Sequence, residues 1–388
     1  MERTAQQHAG DEGPQAQHSY RNTIVSASCL GIAWLGDGVI YVVLPLYAAT
    51  FGIDAVLVGV LLSVNRVVRI IGYGWVSPLA RAYGANVLTA AACAAAALST
   101  LAYGLLSGFV LLFIARMVWG AAWGILNLMM TAYAYGDGVG AGKRIGISRA
   151  LSVLGPFVAL LAVGPLCISI GPHQMFVLYG VLSLVAVPLA FMLPSLRTTA
   201  SDTPRAERRW IPTPLNVLFF MLAFCADGVL GTTISVLLAD FMPASAAIIS
   251  AGLLIAFQRL INMVLSLFSG PVTDRIGPHR LLLPCSFVVV IGLAVIALGH
   301  TYLGTITVFF SRALLSTVGP VLAAQRSTDR IAALASFATW TDVGLAAGAF
   351  LGTVGVAKIG YAPTYSMLAA MLALTVLWQL RSRTAASS

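Results

Sequence analysis

The sequence predicts an all-α integral membrane protein of twelve transmembrane helices in two pseudo-symmetric six-helix bundles. Three observations carry that prediction. Only 9% of the 388 residues are charged and 59% are hydrophobic, whereas soluble domains carry about 25% charged residues. The apolar residues fall into runs of the length that a bilayer requires, about 20 residues each. A sparse set of charges then recurs along the chain at a nearly constant offset of 190 to 196 residues.

The apolar runs lie at 23–50, 55–78, 86–107, 109–135, 145–168, 173–194, 212–240, 245–270, 281–300, 302–324, 332–356 and 361–380. The first 21 residues are polar and of mixed charge. They contain no apolar signal core, so the first run reads as a retained span and not a cleaved leader. The longest polar interruption, SLRTTASDTPRAERRW (195–210), has the Ser, Thr, Pro and Arg of a flexible linker. The chain therefore divides into a tail (1–22), a first bundle (23–194), a linker (195–211), a second bundle (212–380) and a short tail (381–388).

Charge fixes the orientation. Of the 22 Lys and Arg residues, fifteen fall in the two tails and in the loops that follow even-numbered spans, and only Lys358 falls on the other side. Basic loops stay on the cytoplasmic side, so both termini are expected to be cytoplasmic. The net charge of +9 is then a topological bias and not a nucleic-acid surface. A lipid bilayer and a small-molecule substrate are the expected partners, with no nucleic acid, and a monomer is expected. The five cysteines all lie inside apolar runs without Cys-x-x-Cys spacing, so no metal site is expected.

The repeat opens with Gly36-Asp37-Gly38-Val39 and Ala226-Asp227-Gly228-Val229. It continues with LLSVNRVVR (61–69) against LLIAFQRLIN (253–262), which pairs Arg66 with Arg259. FIARMVWGAAWG (113–124) against FFSRALLSTVGP (309–320) pairs Arg116 with Arg312. SRALSVLGPF (148–157) against TDVGLAAGAF (341–350) pairs Arg149 with Asp342. Rare charges in conserved order imply two six-span halves related by an axis along the membrane normal.

Two such halves joined by a basic linker resemble the major facilitator superfamily over essentially the whole chain. SGPVTDRIGPHR (269–280) is similar to that family's G-x-x-x-D-R-x-G-x-[RK]-[RK] loop, with Gly270, Asp274, Arg275, Gly277 and Arg280 in the matching places. The first-half counterpart, SPLARAYGAN (77–86), departs: aligned on Gly84, Arg81 stands where the acid would be. RMVWGAAWG (116–124) resembles the fourth-span R-x-x-x-G motif, and Gly155-Pro156 the Gly-Pro motif of antiporter fifth spans, without the Gly pair that follows. The resemblance implies secondary transport by alternating access, not an enzyme, with no cofactor and a proton gradient as the energy source. It also implies that spans 1, 4, 7 and 10 line a central cavity, while spans 2 and 11, and 5 and 8, meet across the halves.

A charge at mid-bilayer costs about 2.5–3.5 kcal/mol on insertion scales and faces a cavity or a partner. Five arginines lie well inside spans, Arg66, Arg69, Arg116, Arg259 and Arg312, against three carboxylates, Asp37, Asp227 and Asp342. Arg149 sits about a turn inside span 5, close enough to snorkel to the cytoplasm or face span 8. An excess of guanidinium calls for an anionic group, carboxylate or phosphate, to complete it. The alternative is that Arg116 and Arg312 hold each half together. Helical spacing groups Asn65, Arg66, Arg69 and Tyr73 on one flank, and Arg116, Trp119, Trp123 and Asn127 on another, a stripe expected to line the cavity with an aromatic wall and one amide, the alternative being interfacial or packing tryptophans. Gln258, Arg259 and Asn262 cluster on span 8, and Asp37 shares a face with Tyr41. Asp342 is a candidate partner for Arg66 or Arg69 across the seam. An aspartate that changed neighbours between states would change its proton affinity, which assigns Asp37, Asp227 and Asp342 to proton coupling. The rival reading is that Asp37 and Asp227 each cap a nearby backbone or pair permanently with Arg116 or Arg312.

The chain lacks a phosphate-binding G-x-x-x-x-G-K-[ST] motif and an identifiable nucleophile with a partner base. Proton-linked export from a bacterial cell through its inner membrane is the favoured expectation. Uptake by symport and a non-transporting receptor or structural role are the alternatives.

Overall fold

Apolar runs this long leave the backbone no partner but itself, and each folds as a helix. The computed structural model describes residues 14–53, 55–195, 212–231, 233, 244–325, 327 and 329–387. The expected tail up to residue 13 and the linker from 196 to 211 lie outside the described residues.

Span 1 is made of α1 (Pro14–Ala33) and α2 (Leu35–Leu46), bent by 45° at Trp34. Spans 2 to 5 are α3 (Ala55–Tyr83), α4 (Ala85–Leu105), α5 (Phe109–Tyr135) and α6 (Ala141–Ser169). Span 6 is α7 (Pro172–Ser183) and α8 (Ala186–Ala190). Span 7 starts as α9 (Pro214–Leu222) and widens into a π-helix over Ala223–Val229. Spans 8 to 12 are α10 (Ala244–Ile276), α11 (Pro278–Ala297), α12 (Thr301–Gln325), α13 (Arg330–Ile359) and α14 (Tyr361–Ser387). Described helices fall on each of the twelve apolar runs, with span 7 described as far as residues 231 and 233. Helix α1 starts well ahead of residue 23 and α14 runs past residue 380.

The packing repeats as the sequence does. In the first half α4 packs on α5 and α7, α3 on α5, and α1 and α2 on α6. In the second half α11 packs on α12 and α14, α10 on α12, and span 7 on α13. The halves meet along α3 with α13 and along α6 with α10. These are the two seams that the resemblance implied.

Glycines permit the closest approaches. A side chain on Gly155 of α6 would lie 1.8 Å from the Gly31 carbonyl oxygen of α1. On Gly38 it would meet Pro156 at 2.5 Å, and on its counterpart Gly228 it would meet the Leu345 carbonyl of α13 at 2.7 Å. Both members of the opening repeat therefore seat the first span of a half, span 1 or 7, on the fifth span of the same half, α6 or α13. The helix is irregular at both places: the bend at Trp34 precedes Asp37, and the π-helix contains Asp227. Such local widening is typical of functional positions. We call the face where α1 begins and α14 ends the terminal face. There the turns into α4 and α11 are made by Gly84 (φ 90°) and Gly277 (φ 92°), a left-handed conformation that favours glycine.

Candidate functional site

The intramembrane charges sort into three groups: pairs inside each half, a network across one seam, and arginines left over.

Within the first half, Arg116 pairs with Asp37. Its Nε also donates to the Leu61 carbonyl at 3.1 Å, and its Nη2 to the Tyr41 hydroxyl at 3.2 Å. The Tyr41 ring lies 5.4 Å from the guanidinium carbon. The pair is sealed, with side-chain exposures of 0% for Arg116 and 4% for Asp37. Gly120, one turn along α5, makes this possible: a side chain there would lie 2.6 Å from the Asn65 carbonyl of α3. In the second half Arg312 grips Asp227 as a fork, its Nη2 on Oδ2 and its Nε on Oδ1 at 3.3 Å. That pair is more open, 13% for Arg312 and 23% for Asp227. In the conformation seen here, the geometry is that of the rival reading, a pair within each half.

Across the α3–α13 seam, Asp342 accepts from Arg69 Nη2 at 3.2 Å and from the Tyr73 hydroxyl at 2.9 Å. Arg69, not Arg66, is thus its partner. The Arg69 guanidinium also stacks on Trp123, 4.2 Å from the ring centre, and Trp123 meets Trp34 edge-on at 5.9 Å. Beside this network a cavity of about 180 Å³ opens between α3 and α5, lined by Arg69, Tyr73, Val76, Ala121 and Ile125.

Two expectations are corrected here. Arg149 does not snorkel to the surface; it lies on the face of α6 that carries Gly142 and Gly146 against α10. Its Nη1 donates to Asn127 Oδ1 of α5 at 3.3 Å. The Asn127 amide offers it an acceptor on the neighbouring helix. Trp119 does not line the centre with Trp123: it is wholly buried in the apolar core of the first half. The spacing put both on one stripe, but only Trp123 stands where the helices part.

Three pairs consume three arginines and all three intramembrane aspartates. Arg66 and Arg259 remain, and among the described residues neither has an ion-pair or hydrogen-bond partner. Both point inward. On α10 the lipid-facing stripe is Phe257, Leu260, Val264, Leu267 and Phe268, and Arg259 sits on the opposite face with Asn262, Ser266 and Thr273. Arg259 is exposed there, with half-buried Gln258 and Asn262 beside it. Tyr41 is 41% exposed, and its hydroxyl also receives Asn65 Nδ2 at 3.3 Å. On α3 the lipid stripe is Val60, Val67, Ile71 and Trp75, and Arg66 lies off it, a turn beyond Arg69.

Further polar contacts join the halves at the terminal face. Asp274 of α10 accepts from the backbone N–H groups of Gly142 and Lys143, both at 2.8 Å, at the start of α6. Gly270 lets α10 approach, since a side chain there would meet the Gly142 carbonyl at 2.5 Å. Arg275 and Arg280 are exposed on the same face. Ser77 and Arg81 of α3 both donate to Asp329, and Arg330 donates to the Gly136 carbonyl. Ser77, Arg81, Asp329 and Tyr73's bond to Asp342 were not foreseen. The signal for Asp329 was present, as an acid immediately ahead of an apolar run.

No protein-family model matches the chain, and no curated protein sequence matches it. Solved structures do. The chain is similar to the human organic anion transporter MFSD10, with a TM-score of 0.77 and 14% identity over 95% of this chain and 100% of that chain. It is also similar to FucP in the outward conformation, with a TM-score of 0.71 and 15% identity over 94% and 99% of the two chains. The proton:xylose symporter XylE aligns with a TM-score of 0.68 and 14% identity over 94% of each chain. All three carry one architecture across nearly their whole length, and the present chain has that twelve-helix fold, the fold of the major facilitator superfamily.

Proposed function

We propose that the chain is a secondary active transporter that works by alternating access and exports a small organic solute bearing a carboxylate or phosphate, in exchange for protons. The observation that carries the reading is Arg66 and Arg259, two inward-facing guanidiniums left over once every intramembrane aspartate is paired. A bound anion supplies what they lack. The contacts gathered at the terminal face, read as cytoplasmic from the basic loops, support an outward-facing arrangement. Of the three aspartates, Asp227 has the most exposed side chain and is the first candidate for proton uptake, followed by Asp342. Asp37 is sealed and is read as holding the first half together. A bacterial inner membrane, a monomer and no bound cofactor complete the reading.

Uptake by proton symport is the second reading, favoured by the names of two structural neighbours, FucP as a fucose:proton symporter and XylE as a proton:xylose symporter. Proteoliposomes with an imposed pH gradient separate the two by the direction of solute accumulation. The anion reading is tested first by thermal stabilisation of the purified protein against panels of organic anions and cationic drugs. Stabilisation by anions alone, lost in Arg66→Ala and Arg259→Ala, is expected. Stabilisation by an anion that both variants retain in full refutes it.

A further inference from the structure

We propose that the α3–α13 seam is closed at the terminal face by a charge-reversed latch, in which Arg81 and Ser77 grip Asp329, the residue that caps α13. The idea rests on the alternating-access reading, and its test is chosen to fail separately from it.

The two seams can be compared position by position. Gly277 ends the second-half loop and Gly84 the first-half one, and both turn the chain at the same φ. Asp274 and Arg81 each stand three residues before that glycine, and Gly270 and Ser77 seven before it. The helices they meet, α6 and α13, begin after N-cap residues Gly140 and Asp329.

At the α6–α10 seam the cap is supplied in trans. Gly140 has no side chain to cap α6, and Asp274 from the other half accepts the Gly142 and Lys143 N–H groups. A carboxylate on a helix N-terminus satisfies open donors and the positive end of the dipole. At the α3–α13 seam the cap is supplied in cis. Asp329 accepts the Ala332 N–H at 3.0 Å with one oxygen. Its other oxygen takes the Ser77 hydroxyl at 2.8 Å and the Arg81 guanidinium. A second acid at position 81 would meet Asp329 with like charge. The loop instead carries a cation, and the position held by Gly270 for close backbone approach carries a hydroxyl donor. Three positions have changed together, and each change suits the other two. The carboxylate has moved from the loop to the cap, while its place over the helix N-terminus is kept.

The latch is an ion pair between two side chains at the membrane surface. Arg81 is 45% exposed and Asp329 21%, so salt screens it.

The test uses the full chain in detergent, with native cysteines replaced by alanine and spin labels at Ala82→Cys and Gln325→Cys, exposed residues on either side of the seam. The distance distribution reports the closed and open populations. Asp329→Asn keeps the cap, since Asn caps as well as Asp, but loses the partner of Arg81. It is expected to lower the closed-to-open ratio by up to about fivefold, the span of exposed ion pairs. Arg81→Ala should act similarly, and Arg81→Asp should open the face further. The double variant Arg81→Asp/Asp329→Asn recreates the arrangement of the other seam and should be more closed than Arg81→Asp alone. If Arg81→Asp leaves the distribution unchanged, or the double variant is no more closed than the single, the latch is refuted. Asp274→Asn serves as the control on the opposite seam. If it opens the face while the Arg81 variants do not, the latch fails and alternating access stands. If no variant at either seam changes the distances, both readings fall.

Discussion

The two halves carry the same aspartate–arginine pair, and the structure predicts that breaking the two will not cost the same. Asp37→Ala leaves Arg116, whose side chain has no exposure, without its counter-ion. It keeps the Leu61 carbonyl and the Tyr41 hydroxyl, neither of which is charged. Removing one partner of a sealed pair costs about 3–5 kcal/mol. At about 2 °C per kcal/mol, the lower slope expected of larger chains, the apparent Tm falls by about 6–10 °C. Asp227→Ala leaves Arg312 in a setting that is already 13% exposed, where the guanidinium can turn to water. A cost of about 1–2 kcal/mol, between surface and sealed pairs, gives a shift of about 2–4 °C. Thermal unfolding of the two variants in one detergent, followed by tryptophan fluorescence, measures the contrast. Losses equal within about 2 °C would refute the assignment of Asp37 to structure and Asp227 to a more mobile role.

Gly155→Ala places a methyl group against the Gly31 carbonyl, backbone against backbone. It should lower the yield of folded protein or its Tm by more than the roughly 1–3 kcal/mol of ordinary overpacking. Gly72→Ala has open space around it and should be neutral or slightly stabilising in the same assay; a neutral Gly155→Ala would contradict the packing described. Asp342→Asn weakens the acceptor shared by Arg69 and Tyr73, whereas Tyr73→Phe removes one interhelical hydrogen bond, worth about 0.6 kcal/mol on average in membranes. The spin-label pair at Ala82 and Gln325 should show the larger opening for Asp342→Asn, and equal openings would count against the ion pair as the main tie.

Periodicity and composition sufficed for the twelve spans because a bilayer allows so few alternatives: a long apolar run must be a helix, and its basic ends set its side. The duplicated landmarks carried the two-half architecture for the same reason, since a rare charge inside lipid depth is too costly to recur by chance. The excess of guanidinium was likewise a matter of counting. What counting cannot supply is who holds whom. Asp342 had two arginines within one turn of α3, and the choice of Arg69 depends on where α13 crosses and on Trp123 beneath the guanidinium. Arg149 was free to reach the surface by length alone, and an amide on a neighbouring helix captured it. The bend at Trp34 and the π-helix around Asp227 have no local sequence signal, because they answer to packing against α6 and α13. Arg81 read as a broken motif along the chain. Only the tertiary structure brought Asp329 to it from 248 residues away and turned the departure into a contact. Helix formation is decided by residues near in sequence, whereas the pairing of charges is decided by the crossing of helices, and that is set by the whole chain at once.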